Sequence, residues 1–211
     1  SSAQTIHFQD DFESGLGKWI ASGQDWDTTW KSFRGGKKSL TDSKNGNYPA
    51  MANTIITTMD QINLTSASNP MLTYWYRHAL DDDAFVSGTD HLRVDVSTDN
   101  GFNWTEIKSY TGTKNNWTYE QLSLNSYVGK KIKVRFRLQS DGGDERDGFY
   151  VDDLSIQELP IQNIVQLPFT DDFESGLGKW IASGQDWDTT WKSFRGGKKS
   201  LTDSKNGNYP A

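Results

Sequence analysis

The chain has 211 residues, a formal net charge of −6 and no cysteine. This length suffices for one large β-sandwich or two small domains, and the lack of cysteine excludes disulfides and thiolate chemistry. The negative charge argues against a nucleic-acid partner, because phosphate binding needs clustered Lys and Arg, and no apolar run approaches the roughly 20 residues of a membrane span.

Apolar and polar residues alternate in short segments throughout residues 1–158, as expected for β-strands with one buried face. In chain order these segments are residues 53–58, 71–79, 91–96, 131–138 and 149–156. Gly and Asn separate them, and no segment longer than a turn has helical periodicity. The pattern predicts an all-β fold, an antiparallel sandwich of two sheets whose alternate residues fill the core.

One segment of the sequence occurs twice. Residues 10–50 recur without a change as residues 171–211, at an offset of 161. Because exposed Lys, Ser and Asn positions are identical as well as apolar ones, the duplication is recent or engineered. Between the copies, prolines flank a stretch without strand alternation, which favours an interdomain linker at residues 159–170. We therefore predict a complete domain at residues 1–158 and an incomplete second repeat at residues 171–211.

Four short sequences occur in order along the first domain. They are DFESGLGKW (11–19), VSTDNGFNW (96–104), SLNSYVGKKIKVRFRLQSD (123–141) and DGFYVDDLSI (147–156). Together they resemble the MAM-like jelly-roll domains attached to secreted bacterial proteases of the immune inhibitor A type and to bacterial surface proteins. The resemblance covers nearly all of residues 8–157. It implies jelly-roll topology and a secreted or cell-surface location, but no particular ligand, because the module has many hosts.

The same resemblance implies a structural calcium ion. Related jelly rolls hold Ca²⁺ between the opening and closing strands, and the matching carboxylates of this chain are Glu13 and Asp152. Because Ca²⁺ takes six to eight oxygen ligands, Asp11 and Asp153 could complete the shell together with backbone carbonyls. The alternative is that these carboxylates are solvated residues at strand ends.

The segment S-x-D-x-G-x-x-W, from Ser97 to Trp104, resembles the Asp-box hairpin of sialidases and other β-proteins. Asn100 and Gly101 tolerate the positive φ of a tight turn, and Asp99 can accept hydrogen bonds from the turn amides. We interpret this segment as structural, since sialidases carry several such boxes and this chain carries one.

Catalytic patterns are missing from the sequence. With no cysteine, and with His7, His78 and His91 outside any recognised motif, nothing supports nucleophilic catalysis. We therefore predict that the chain is not an enzyme. Paired carboxylates of a glycoside hydrolase are the least favoured alternative.

Aromatic residues suggest a binding surface, because sugar rings stack on Trp and Tyr faces and find hydroxyl partners in Asp and Asn. Most of the aromatic side chains of a sandwich fill its core, so only some of them can serve this purpose. The candidates for a sugar-binding surface are Trp26, Trp30, Tyr110, Trp117 and Tyr119.

The sequence favours a non-catalytic extracellular module, a structural or adhesive repeat stabilised by calcium, whose partners are other copies of the same repeat. The alternative is an accessory module of a secreted hydrolase that binds a carbohydrate or a surface protein. Residues 171–211 repeat the opening segment without the rest of the domain, and they can in principle dock on residues 51–157, so we expect exchange of opening strands between chains. We also expect the chain to be part of a longer tandem array or a deliberate extension of one domain.

Overall fold

The computed structural model describes residues 5–23, 26–82, 89–159, 171–178, 180–181, 187–192 and 195–202. The chain divides into two compact units, Ser1–Ile161 and Gln162–Ala211. Apart from Leu159, the predicted linker at residues 159–170 lies outside the described residues, so its position stays a prediction.

Among its described residues, the first unit has twelve strands and one turn of 3-10 helix at Asn125–Tyr127. The strands are β1 (Ile6–Asp10), β2 (Trp19–Ser22), β3 (Asp27–Thr29), β4 (Ser39–Thr41), β5 (Asn53–Thr58), β6 (Ile62–Asn63), β7 (Pro70–Ala79), β8 (His91–Ser97), β9 (Thr105–Tyr110), β10 (Thr113–Ser123), β11 (Lys131–Gln139) and β12 (Gly148–Glu158). Within the described ranges, no helix is long and apolar enough to cross a membrane.

These strands form two antiparallel sheets. The first has the order β10-β7-β12-β4-β3, with β1 also paired to β12, and the second has the order β2-β5-β11-β8-β9, with β6 also paired to β11. The first and last strands of the domain are therefore neighbours, and each sheet contains strands that are distant in sequence. This confirms the predicted all-β antiparallel sandwich of two sheets.

The core between the sheets is rich in aromatic rings. Phe136, on the central strand of the second sheet, is completely buried. Its ring lies 5.6 Å from that of Tyr74, 6.3 Å from that of Trp19 and 6.4 Å from that of Trp26, measured between centroids. Side chains from β2, β7 and the segment before β3 thus converge on one residue of β11, which ties the opening segment to the body of the domain.

Strand β11 follows the predicted alternation. Ile132, Val134, Phe136 and Leu138 are buried, whereas the Lys and Arg residues between them face outward. Since successive side chains of a strand point to opposite faces, one regular strand supplies both core residues and a basic outer surface.

The Asp-box segment forms the predicted tight turn between β8 and β9. Asn100 and Gly101 have φ values of 62° and 98°. Asp99 Oδ1 accepts a hydrogen bond of 2.8 Å from the Asn103 amide, and Trp104 Nε1 donates to the Gly101 carbonyl at 2.9 Å. The Ser97, Asp99 and Trp104 side chains are all hydrogen-bonded within the turn, as the structural interpretation predicts.

The second unit repeats the local structure of the first copy. Its described strands, β13 (Asp188–Thr190) and β14 (Ser200–Thr202), pair antiparallel in the register of β3 and β4. Asp171 accepts hydrogen bonds from the Phe173 amide and Trp180 Nε1. Asp10 accepts the equivalent two bonds in the first copy. The local turn is thus encoded within the repeated segment itself.

Burial differs sharply between the two copies. Trp19 is 4% exposed, whereas the identical position Trp180 is 44% exposed. Trp26 is likewise 4% exposed, and its counterpart Trp187 is 47% exposed. The second copy therefore keeps its turns and leaves much of its apolar surface in contact with solvent.

Candidate functional site

An aromatic pair lies on the outer face of the first sheet. Tyr119 of β10 is directly opposite Trp75 of β7 in the antiparallel register. Their ring centroids are 5.3 Å apart, and Tyr119 is 43% exposed. Trp75 points outward because its neighbours Tyr74 and Tyr76 turn toward the core, as strand alternation requires. We call Trp75 and Tyr119 the aromatic platform.

Polar groups flank the aromatic platform on the same face. Thr73 of β7 is opposite Gln121 on β10 and Ser155 on β12. These residues are one alternation, about 7 Å, along the strands from the rings. The two rings are inclined at 45° to each other, so a sugar ring would stack on one of them, with hydroxyl and amide groups beside it to bind the sugar hydroxyls.

A guanidinium group accompanies the platform. The Arg34 guanidinium lies 4.3 Å from the centroid of the Trp75 ring, in cation–π geometry. Nearby, Arg77 donates to Ser32 Oγ at 3.1 Å, and its guanidinium lies over the Tyr150 ring. The loop between β3 and β4 therefore lies over this face and places a cationic hydrogen-bond donor beside the aromatic rings.

Two of the predicted sugar-binding residues belong to the core. Trp26 is 4% exposed and packs against Phe136. Tyr110 is 7% exposed, and its hydroxyl is hydrogen-bonded to Tyr74 at 2.6 Å and to Glu120 at 2.9 Å. The structure corrects the prediction for both residues, because neither ring presents a face to solvent.

The other three predicted residues are accessible. Trp30 is 70% exposed in the loop after β3, Trp117 is half-buried on β10, and Tyr119 belongs to the aromatic platform. Sequence reasoning missed Trp75. The alternation in residues 71–79 places this residue on the face opposite Tyr74, but only the pairing of β7 with β10 brings it beside Tyr119.

The two principal predicted calcium ligands hold opposite ends of one glycine loop, residues 34–38. Glu13 Oε1 accepts hydrogen bonds from the amides of Lys37 at 2.8 Å and Lys38 at 2.7 Å. Asp152 Oδ2 accepts from the amides of Arg34 at 2.6 Å and Gly35 at 3.1 Å. These bonds alone give both carboxylates a structural role.

The other two predicted ligands share an open cleft of about 280 Å³, which Lys18 also lines. Asp11 forms one wall, and Asp153, with φ of 47°, forms another. Burial raises the pKa of the neighbouring Asp152 to about 6, although three backbone amides oppose the shift, and the Asp153 charge adds to it. The predicted ligands therefore divide between the loop and the cleft.

Few side chains in this region are arranged so that they could bind the same metal ion. Among the residues that the structure describes, no three Asp, Glu, His or Cys side chains are arranged to hold one metal ion. The oxygen donors suit a hard cation such as Ca²⁺. Such an ion would need two of these carboxylates completed by backbone carbonyls of the glycine loop.

The sequence is similar to part of one curated protein. It is 30% identical over 161 residues to Bacillopeptidase F of Bacillus subtilis (strain 168). The match includes 73% of this chain but only 11% of that protein, so the chain corresponds to a small part of its length. No family model matches the chain, and the MAM-like resemblance stays a prediction.

Solved structures share the fold. The K3 cleaved adhesin domain of Lys-gingipain from Porphyromonas gingivalis W83 superimposes with a TM-score of 0.52 at 19% identity, over 74% of this chain and 100% of that domain. The C-terminal family 22 carbohydrate-binding module of Clostridium thermocellum Xyn10B gives a TM-score of 0.51 at 14% identity, over 78% of this chain and 100% of that module. At these identities the likeness establishes the jelly-roll sandwich fold.

Proposed function

We propose that residues 1–158 form a non-catalytic, glycan-binding accessory module of a secreted or cell-surface hydrolase. The observation that carries this proposal is the aromatic platform, two adjacent outward-facing rings, of which Tyr119 is 43% exposed and Trp75 is half-buried beneath the Arg34 guanidinium. The fold shared with a carbohydrate-binding module and with an adhesin domain supports it. So does the similarity to part of a protein named as a peptidase. We therefore prefer the accessory module to a purely structural repeat.

The position of the platform suits stacking of a sugar ring. Trp75 and Tyr119 lie on neighbouring strands and not on a loop, so little conformational entropy is lost when a ligand binds. Gln121, which is exposed, and Ser155, which is half-buried, supply hydrogen-bonding groups at the next register position, whereas Thr73 between them is buried. A short β-linked oligosaccharide could place one ring over the platform and its hydroxyls over these polar side chains.

Tyr119→Ala is expected to weaken the binding of a neutral oligosaccharide at least tenfold. The substitution removes one of the two stacking surfaces, and tenfold corresponds to about 1.4 kcal/mol. The measurement is isothermal titration of the 211-residue chain with a panel of neutral β-linked hexasaccharides. Chromatography of the same mixtures should detect no cleavage products.

Phe102→Ala is the matched control for that experiment. Phe102 is 85% exposed at the tip of the β8–β9 turn, so its removal deletes an exposed aromatic ring away from the platform. We expect binding to remain at the parental level. The proposal fails if no panel member binds the parent, or if Tyr119→Ala and Phe102→Ala have equal effects.

The proposal includes a structural calcium ion held by Glu13 and Asp152. Its support is the approach of carboxylates to the backbone of the glycine loop, whose own side chains Arg34, Lys37 and Lys38 are basic. A Cβ atom on Gly36 would clash with Glu13 Oε1, and one on Gly35 would lie 3.1 Å from Asp153 Oδ2. Glu13 and Asp153 thus crowd two consecutive glycines, and Asp152 accepts from the Gly35 amide. A bound cation would offset the mutual repulsion of these three carboxylates.

Chelation is expected to lower the melting temperature of the parent chain. A ligand that binds only the folded state at a hundred times its Kd contributes about 2.7 kcal/mol. The measurement compares thermal unfolding in excess Ca²⁺ and in excess chelator for the parent, Glu13→Ala and Glu174→Ala. We expect Glu13→Ala to abolish the difference between the two conditions.

Glu174→Ala is the control because Glu174 makes the same two amide hydrogen bonds in the second copy. The second copy ends before any counterpart of Asp152, so this variant should keep the parental response to chelator. If the parent melts at the same temperature in both conditions while Glu13→Ala melts lower in each, Glu13 acts through amide hydrogen bonds and calcium is excluded.

A further inference from the structure

The outer face of the second sheet carries a concentration of positive charge. Its basic side chains are Arg93 on β8 together with Lys131, Lys133, Arg135 and Arg137 on β11. We call these five residues the basic face. Two carboxylates, Asp95 and Glu106, accompany them among the described strand residues. An excess of cations on one face is unusual in a chain whose net charge is −6.

Strand pairing places two arginines side by side on the basic face. Arg93 is directly opposite Arg137 in the antiparallel register. Like charges at opposite positions destabilise a sheet, so their juxtaposition needs a compensating anion. Arg93 has one in Glu106, at 2.9 Å, and Arg135 has one in Asp95, at 2.7 Å.

The positive charge of Arg137 is balanced less well than the charges of Arg93 and Arg135. Its Nε donates to the amide oxygen of Asn53 at 2.9 Å, and no carboxylate of the described residues lies within ion-pair distance of it. Burial lowers the pKa of Arg137, and the nearby Arg135 and Arg93 charges act in the same direction. The guanidinium carries five N–H donors in a planar fork that matches a carboxylate, and most of these donors are available to a ligand.

Uncharged polar groups continue the surface beyond the arginines. At the next register position Gln139 lies between Asn53 on β5 and His91 on β8. His91 Nδ1 is buried and has no hydrogen-bond partner among the described residues. Because this nitrogen is buried, it is not part of the accessible surface, and the Gln139 amide oxygen already accepts from Arg93. The NH₂ groups of the two amides, beside a guanidinium pair, fit a ligand that carries both carboxylates and hydroxyl groups.

We propose that the basic face binds an acidic polysaccharide, with Arg93 and Arg137 sharing one sugar carboxylate and Asn53 and Gln139 binding its hydroxyls. The site lies on the sheet opposite the aromatic platform and is independent of it. A carboxylated sugar chain fits this face better than nucleic acid does. The face combines its five basic side chains with two carboxylates, which favours a sparsely charged chain over the dense phosphates of a nucleic acid. The half-buried Trp104 ring, on which a base could stack, is already covered by the Arg135 guanidinium at 4.3 Å.

Titration of the 211-residue chain with hexagalacturonate tests the proposal. We expect binding by the parent that weakens with added salt. Arg137→Gln should reduce the affinity at least tenfold, because it removes a charged, bidentate donor. Methyl-esterified hexagalacturonate, which has the same shape and no charge, should not bind.

Two control variants separate this site from other effects. Lys37→Gln removes an exposed positive charge from the glycine loop, and Tyr119→Ala alters the aromatic platform. Both should bind hexagalacturonate as the parent does, so failure of the neutral-glycan proposal leaves this one intact. Equal binding by Arg137→Gln and the parent, equal binding of the methyl ester, or preference for a DNA duplex would each overturn it.

Discussion

Replacing Trp19 by alanine is expected to lower the free energy of unfolding by about 3–5 kcal/mol, the usual cost of removing a fully packed aromatic side chain. Trp19 is 4% exposed, and its indole nitrogen donates to Asp10 Oδ2 at 2.9 Å. The rings within about 6 Å of it are those of Phe8, Phe12 and Phe136. The substitution would leave a cavity in the core between the two sheets. Urea denaturation followed by fluorescence and circular dichroism measures the loss.

Trp180→Ala is an unusually well-matched control for Trp19→Ala. Both substitutions change the same residue within identical sequence, residues 10–50 and 171–211. Trp180 is 44% exposed, so its replacement by alanine removes fewer packing contacts than the replacement of Trp19. We expect the free energy of unfolding to fall by less than about 1 kcal/mol. Comparable losses in the two variants would contradict the difference in packing between the copies.

The double variant tests the hypothesis of strand exchange. If residues 171–211 can replace residues 10–50 against the body of a domain, an intact second copy rescues Trp19→Ala. The single variant would then lose clearly less stability than Trp19→Ala combined with Trp180→Ala. Equal losses in the single and double variants would exclude exchange under those conditions.

Asp42→Asn is expected to stabilise the protein relative to the parent above neutral pH, by as much as about 4 kcal/mol for a shift of about three pKa units. Asp42 is completely buried. Its Oδ1 accepts a 2.5 Å hydrogen bond from the Phe149 amide, and its Oδ2 has no partner among the described residues. Burial raises the pKa of Asp42 from 3.8 to about 7.

The direction of the pH dependence follows from this shift. A carboxyl with a raised pKa in the folded state binds its proton more tightly there than in the unfolded chain. Its contribution to stability is therefore complete below about pH 4 and is lost as the pH rises through about 7. Asp42→Asn should remove this decline because an amide does not titrate.

Urea denaturation of parent and variant between pH 4 and pH 8 measures the effect. Asp152, whose pKa is raised to about 6, adds a decline in the same direction, whereas Glu158, whose pKa is lowered to about 2, acts at lower pH and in the opposite direction. Asp152 and Glu158 are present in both parent and variant. The difference between the two curves of unfolding free energy against pH therefore reports the titration of Asp42 alone. Parallel profiles would show that Asp42 does not titrate in this range.

Local structure was predictable from the sequence wherever the determining contacts lie within a few residues. The alternation in residues 131–138 predicted which side chains of β11 are buried, because the strand period is two. The Asn100–Gly101 turn followed from the tolerance of these residues for positive φ. The aspartate at the start of each copy makes the same hydrogen bonds to the next residues in both units.

The tertiary structure alone decided which surfaces are covered. Trp26 and Tyr110 were candidates for ligand binding, and packing between the sheets places both in the core. The pairing of β7 with β10 created the aromatic platform. The two copies give the reason most directly, since Trp19 and Trp180 share their sequence neighbours and differ tenfold in exposure. The burial of a side chain such as Trp19 depends on strands that are distant in sequence. The local pattern of apolar and polar residues contains no information about those strands.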